Sequence, residues 1–342
     1  MPPRERFLGI TVMTPFIQTE GVEAALENVA ERAGATAVAI NTSVAAPSPE
    51  GEGVFQPPDD AGASVRVFDR PVWGQKSLWL RSGPGHAPRS EFFQGLKYQP
   101  RRPNDLTQSA GATIGEFIRA AKARGLAIYI QTSATGPTGL DDEDRPRLPD
   151  GRLPSRRMAD TGSPASPHVR AFNRAWTRDI FAQYPEIDGI RPDWPEYPCY
   201  TLDEAFQGFE EPARAWAEEH GFDFTRMQQD AGDFYRHLNG HLANAELAEL
   251  AGPDRGKYAI VEGLSRYPGV AEWLRFKAAL SIDLLQDWRN AIEQFGGPEK
   301  ELAPNAFMPP FSQITGFDFA GAAPHCASIA PKLYTMHWSL IV

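Results

Sequence analysis

A chain of 342 residues with 42% hydrophobic and 23% charged residues has the composition of an ordinary globular protein, long enough for two domains unless the fold is a barrel. Its formal net charge of −10 excludes a surface built for nucleic acid or anionic lipid, since both need a concentrated basic face. No apolar run approaches the roughly 20 residues of a bilayer span, and the two cysteines, Cys199 and Cys326, make neither a disulfide framework nor a zinc spacing, so a cytoplasmic protein is expected.

The first residues, MPPRERFLGITVMTPF, place charge before a short apolar run that breaks at Thr14 and Pro15, which fits a core strand better than a signal peptide. After the strand at 8–14, apolar positions recur at helical spacing over 22–32, and ATAVAIN (35–41) reads as a second strand. Strand, helix and strand within about 35 residues make a βαβ unit and a parallel sheet. Both strands are apolar on both faces and end in a polar residue, Thr14 and Asn41, where a barrel rim would lie.

Residues 42–113 carry many prolines, glycines and aromatics without clear periodicity, and are expected to be a long insertion folded over that rim. In TIGEFIRAAKARGLAIYIQTS, Ile114, Phe117, Ile118 and Ala121 form one helical face, Gly125 stops the helix, and 126–130 is the third strand. A second proline-rich loop spans 136–166. A helix over 168–184 then leads into Ile187 to Pro198, IDGIRPDWPEYP, a short apolar strand running into Arg191, Asp193, Trp194 and Glu196. Helical patterns follow at 202–220, 227–250 and 268–295, then a fifth strand at 302–311 and a sixth at 329–338. The expected fold is therefore α/β, a single (β/α)8-type TIM barrel with six strands legible and long loops after strands 2 and 3. The apolar ending SLIV, just past the sixth strand, predicts a fragment of a longer chain in preference to a barrel edge covered by a partner.

In such barrels the catalytic groups sit at the carboxyl ends of the strands, so the strand exits supply the candidates. Asp193 comes first: Arg191, two residues earlier, shares its face of an extended strand, and a guanidinium beside a carboxylate keeps the acid ionised, against the reading of a structural ion pair. Glu196, beyond Pro195, reads as a general acid, a sugar-hydroxyl ligand or an exposed loop carboxylate. Trp194 offers a flat face for a sugar ring, or simply fills the rim. His337 and Trp338 at the sixth strand exit read as substrate contacts or as core residues; Lys332 and Tyr334 lie upstream on the Trp338 face. Asn41 and Asn305 are further substrate-binding candidates. The second carboxylate that glycoside hydrolysis needs is Glu196, Asp318, Glu262 or a residue beyond the end of the sequence. His237 and His241 have the zinc spacing on a helix but lack the Glu of HExxH, and no phosphate loop or GxSxG elbow is present, so neither metal nor cofactor is expected.

IDGIRPDWPEYP resembles the fourth-strand motif of retaining glycoside hydrolases related to the α-amylase and α-fucosidase barrels. LKYQPRRPNDLTQSAGATIGEFIRAAKARGLAIYI is similar to the second loop, helix and third strand of uncharacterised glycosidase-like barrels of that group. The resemblance implies Asp193 as nucleophile, Arg191 as its positioning cation and a carbohydrate as partner, with self-association into a homo-oligomer left open. It implies carboxyls about 5 to 5.5 Å apart for retention, or about 6.5 to 9.5 Å for inversion. The alternatives are a carbohydrate-binding barrel without catalysis, or a sugar-acid lyase or isomerase on the same fold.

Overall fold

The computed structural model describes residues 7–57, 67–155, 157, 159–252 and 256–332. Its main sheet is parallel. Strands β1 (Gly9–Thr11), β2 (Ala37–Ile40), β6 (Ala127–Ser133), β7 (Gly189–Asp193), β9 (Asn305–Ala306) and β10 (Ala330–Pro331) lie side by side in sequence order, and β8 (Glu301–Leu302) also pairs with β7. β8 and β9 are two pieces of one strand position, interrupted at Ala303 and Pro304, where proline has no N–H to give to the ladder. Six parallel positions in chain order, each joined to the next through helices, make the curled half of a (β/α)8 barrel.

Alternation along the strands separates two cores. Val38, Ile40, Ile128, Ile130, Ile190 and Leu302 point outward, where they pack with Ile114, Phe117, Ile118, Ile180 and Phe181 of the covering helices. Ala37, Ala39, Ala127, Tyr129 and Ala303 face inward as a separate cluster, small enough to leave room for polar neighbours. The helix Ala112–Ala123 ends as its composition requires: Gly125 adopts φ 77°, and Leu126 N–H bonds back to Ala121 O. At Gly189 a Cβ would lie 2.2 Å from Glu301 O, so close pairing of β7 with β8 admits only glycine.

The stretch following β2 is more regular than its sequence suggests. Strands β3 (Ser43–Pro47), β4 (Val54–Gln56) and β5 (Leu78–Pro84) form an antiparallel sheet in the order β3-β5-β4, closed over Ala45, Phe68, Val72, Leu78 and Leu80. The pairing of β3 with β5 joins residues 33 to 41 apart, a contact that local periodicity does not register.

The connection after β7 is the largest. Helices Leu202–Ala205, Glu211–Glu219, Phe224–Arg236, Asn244–Ala251 and Gly256–Arg266 precede the long helix Pro268–Gly296. That helix serves two cores: Val270, Trp273, Phe276 and Leu280 pack with Tyr197, Phe206 and Phe209, whereas Leu284, Leu285, Trp288 and Ile292 pack on the barrel. It thereby fixes the helical excursion to the sheet. No helix among the described residues is long and apolar enough to cross a membrane.

Several expected boundaries shift. The first strand ends at Thr11, and Thr14 opens the helix Thr14–Glu20 with Pro15 in its first turn, a position where a missing N–H costs nothing. Beyond Lys332, the expected sixth strand, with His337 and Trp338, lies outside the described residues.

Candidate active site

The carboxyl-terminal rim of the sheet is built around the exit of β7. Asp193 is in register with Ser133 of β6 and Asn305 of β9, which places three polar side chains on one rung of the inner face. The backbone beyond it turns sharply. Trp194 adopts φ 56°, a left-handed conformation that a bulky residue reaches only under constraint, at a cost of roughly 1 to 3 kcal/mol. The constraint is visible: Trp194 N–H bonds to Asn305 O at 3.2 Å, Tyr197 N–H to Thr315 O at 3.0 Å, and Asp193 O accepts from Ala134 N–H at 2.8 Å. Neighbouring strand exits therefore hold the turn from both sides.

The cation beside Asp193 is Lys332, not Arg191. Lys332 Nζ lies 2.5 Å from Asp193 Oδ1 and 3.3 Å from the centre of the Trp194 ring. The lysine side chain is 2% exposed and that of the aspartate 16%. Burial pulls the Lys332 ammonium below the usual lysine range, and the charges of Asp193 and Glu196 oppose that pull. Arg191 shares the inward face with Asp193, as alternation requires, but its Nη1 reaches across the barrel to Thr11 Oγ1 at 3.2 Å. Thr11 in turn donates to Gln131 at 3.3 Å, and Tyr129 bonds to Glu301 below, so the interior carries a polar layer beneath the rim. Among the described residues no ion pair joins Arg191 to Asp193, and the residue after β10 brings a closer cation to the rung.

Glu196 is not an exposed loop carboxylate. It is 1% exposed; its Oε1 accepts from Phe307 N–H at 2.7 Å, and its buried Oε2 has no hydrogen-bond partner among the described residues. Burial pushes its carboxyl up to about 8, reinforced by the Asp193 charge and opposed by the Phe307 amide and Lys332. Glu196 is thus a carboxylic acid at neutral pH, close enough to Asp193 to feel its charge. The Trp194 Nε1–H is likewise buried without a partner among the described residues. An aromatic wall continues from it: Trp194 meets Tyr200 edge-on at 6.3 Å, and Tyr200 meets Phe307 at 5.3 Å.

The other candidates divide. Asn305 is buried on the Asp193 rung. Asn41 is a brace: its Oδ1 accepts from Thr14 Oγ1 at 2.9 Å and from Ser43 N–H at 3.0 Å, tying the exits of the first two strands together. Asp318 caps the helix Phe319–Ala322 through Ala320 N–H at 2.9 Å. Glu262 lies on the helix Gly256–Arg266, paired with Arg266 at 3.9 Å and 76% exposed. His237 sits 3.6 Å from Glu246, and the described residues hold no cluster of three or more metal-ligating side chains. Lys332 had a signal in sequence, the inward face of the sixth strand, but only the curl of the sheet brings that face to Asp193.

No family model matches the chain, and no curated protein matches it in sequence. Solved structures do. A β-galactosidase from the psychrophilic Marinomonas ef1 superposes with a TM-score of 0.50 at 12% identity, covering 96% of this chain and 41% of that one. The shared feature is the (β/α) barrel fold. A polyextremophilic β-galactosidase from the Antarctic haloarchaeon Halorubrum lacusprofundi gives a TM-score of 0.48 at 14% identity over 96% of this chain and 40% of its own. The catalytic domain of a β-amylase from Paenibacillus polymyxa gives 0.44 at 12% over 94% and 75%. The chain spans less than half the length of the β-galactosidases it matches. Identity at this level speaks for the fold alone.

Proposed function

We propose that the chain is a glycoside hydrolase in which Asp193 attacks or electrostatically stabilises the anomeric carbon and Glu196 protonates the leaving oxygen. One observation carries the reading: two carboxyl groups share a strand exit in different states, Asp193 ion-paired to Lys332 and Glu196 kept protonated up to a pH of about 8 by burial. Divergent environments for neighbouring carboxyls are how glycosidases separate nucleophile from acid. Trp194 supplies a ring face for a sugar, and Asn305 and Arg191 complete the polar lining. The Arg-x-Asp resemblance to α-amylase and α-fucosidase barrels supports the same role for Asp193. The substrate is a carbohydrate, and the β-galactosidases among the structural neighbours make β-galactosides the first to try.

A second reading, a carbohydrate-binding barrel without catalysis, is favoured by the near-complete burial of Glu196 against the Phe307 amide, which suits a strut as well as an acid. A panel of aryl and alkyl glycosides separates the two. Under the hydrolase reading Asp193→Asn lowers kcat by about 10³-fold or more, and Glu196→Gln hurts alkyl leaving groups about 10² to 10⁴-fold while sparing acidic aryl ones, which need no proton. A parent chain that binds sugars and cleaves none of the panel overturns it.

A further inference from the structure

We infer that Lys332 is the positioning residue of this rim: its ammonium clamps the Asp193 carboxylate through Oδ1 and the Trp194 indole through one ring face, leaving Asp193 Oδ2 and the other ring face to the substrate. The inference rests on the hydrolase reading for its catalytic consequence, and on geometry for the clamp itself.

Three observations lead to it. Asp193 Oδ1 is buried and lies 2.5 Å from Lys332 Nζ, so the exposure of the side chain falls on its other atoms, Oδ2 among the polar ones. The same Nζ sits 3.3 Å above the Trp194 ring, on the residue that holds the left-handed turn. A cation that is 2% exposed cannot exchange these contacts for water, so it holds both groups in one orientation. The backbone fixes Lys332 as well, since its N–H donates to Ala306 O at 2.8 Å, on the strand that pairs with Asp193.

Among the described residues the titratable groups facing the ammonium are Asp193 on β7 and Glu196 in the turn beyond, which adds its charge only once it ionises; Arg191 of β7 reaches Thr11. β9 offers the neutral Asn305. Removing Asp193 therefore strips away the main charge that keeps Lys332 protonated, leaving burial to act.

The test has a spectroscopic arm and a kinetic arm. The chain contains seven lysines, few enough for the full-length protein labelled with 13Cε-lysine to be read signal by signal, with Lys332 assigned by its loss in Lys332→Arg. The clamp predicts an upfield ring-current shift of the Lys332 methylene that shrinks in Trp194→Phe and disappears in Trp194→Leu, and loss of the Lys332 proton at lower pH in Asp193→Asn than in the parent. In the kinetic arm, Lys332→Met lowers kcat about 100-fold with a smaller change in KM, and Lys332→Arg, which keeps the charge, recovers part of the loss. A Lys332 signal at the position of the exposed lysines and indifferent to Asp193→Asn overturns the clamp, whatever the fold of Lys332→Met. If the parent cleaves no glycoside, the hydrolase reading falls, while the spectra still decide the clamp.

Discussion

Replacing Glu196 by glutamine isolates the linkage between a buried acid and stability. In the folded chain the Glu196 carboxyl is raised from the ordinary 4.5 to about 8, first by burial. Below the unfolded value both states are protonated and the group costs nothing. Between 4.5 and 8 the unfolded chain releases a proton that the folded chain keeps, so stability falls as pH rises, by about 1.4 kcal/mol per pH unit. Above 8 both states are ionised and the loss is complete at about 5 kcal/mol, the product of the shift and that slope. Glutamine keeps the shape and an oxygen for the Phe307 amide but does not titrate. Glu196→Gln is therefore expected to gain about 5 kcal/mol on the parent between pH 4.5 and pH 8.5, with no further gain beyond. Urea melts of both proteins at half-unit steps, followed by tryptophan fluorescence, give the difference curve. A curve flat across that window would refute the reasoning, because it would mean that Glu196 is ionised in the fold at neutral pH and has no proton to give a leaving group.

Two further perturbations probe the frame. Lys277, fully buried on the long helix, donates to Ala205 O and Ile314 O and packs 3.9 Å from the Trp273 ring; burial brings its ammonium down to about 7. A lowered lysine costs stability fully below its folded value and not at all above 10.5, so Lys277→Met is expected to look about 5 kcal/mol better relative to the parent at pH 6 than at pH 10.5, and an equal difference at both pH values in denaturant melts would contradict this. Gly189→Ala sets a methyl group 2.2 Å from Glu301 O and must part β7 from β8, for a loss of about 3 kcal/mol or more; a thermal midpoint within a degree or two of the parent would show that the strands yield freely.

The order of elements was open to inspection in the chain because it depends on local rules. Apolar runs such as AIYI and AVAI are covered on both faces and read as strands without knowledge of their partners, and Ile114, Phe117, Ile118 and Ala121 mark one helical face by spacing alone. The antiparallel sheet over Ala45 and Leu80 leaves no local periodicity because its short, mixed strands draw their stability from partners 22 to 41 residues away. The fifth strand read longer than it is, since Pro304 breaks a ladder whose apolar pattern continues across it.

Asp193 and Arg191 could be placed on one inward face from the period of a strand, and that placement follows from sequence. Which cation meets the acid did not, because Arg191 and Lys332 lie 141 positions apart and compete for it only where the sheet curls. The state of Glu196 was equally out of reach: a glutamate after a proline reads as a surface loop, and its elevation to about 8 comes from burial and the Asp193 charge, against the pull of the Phe307 amide and Lys332. Local periodicity determined the barrel strands and the rim residue Asp193; burial and charge, which sum over residues distant in the chain, decided what surrounds that residue and in which protonation state its neighbour is held.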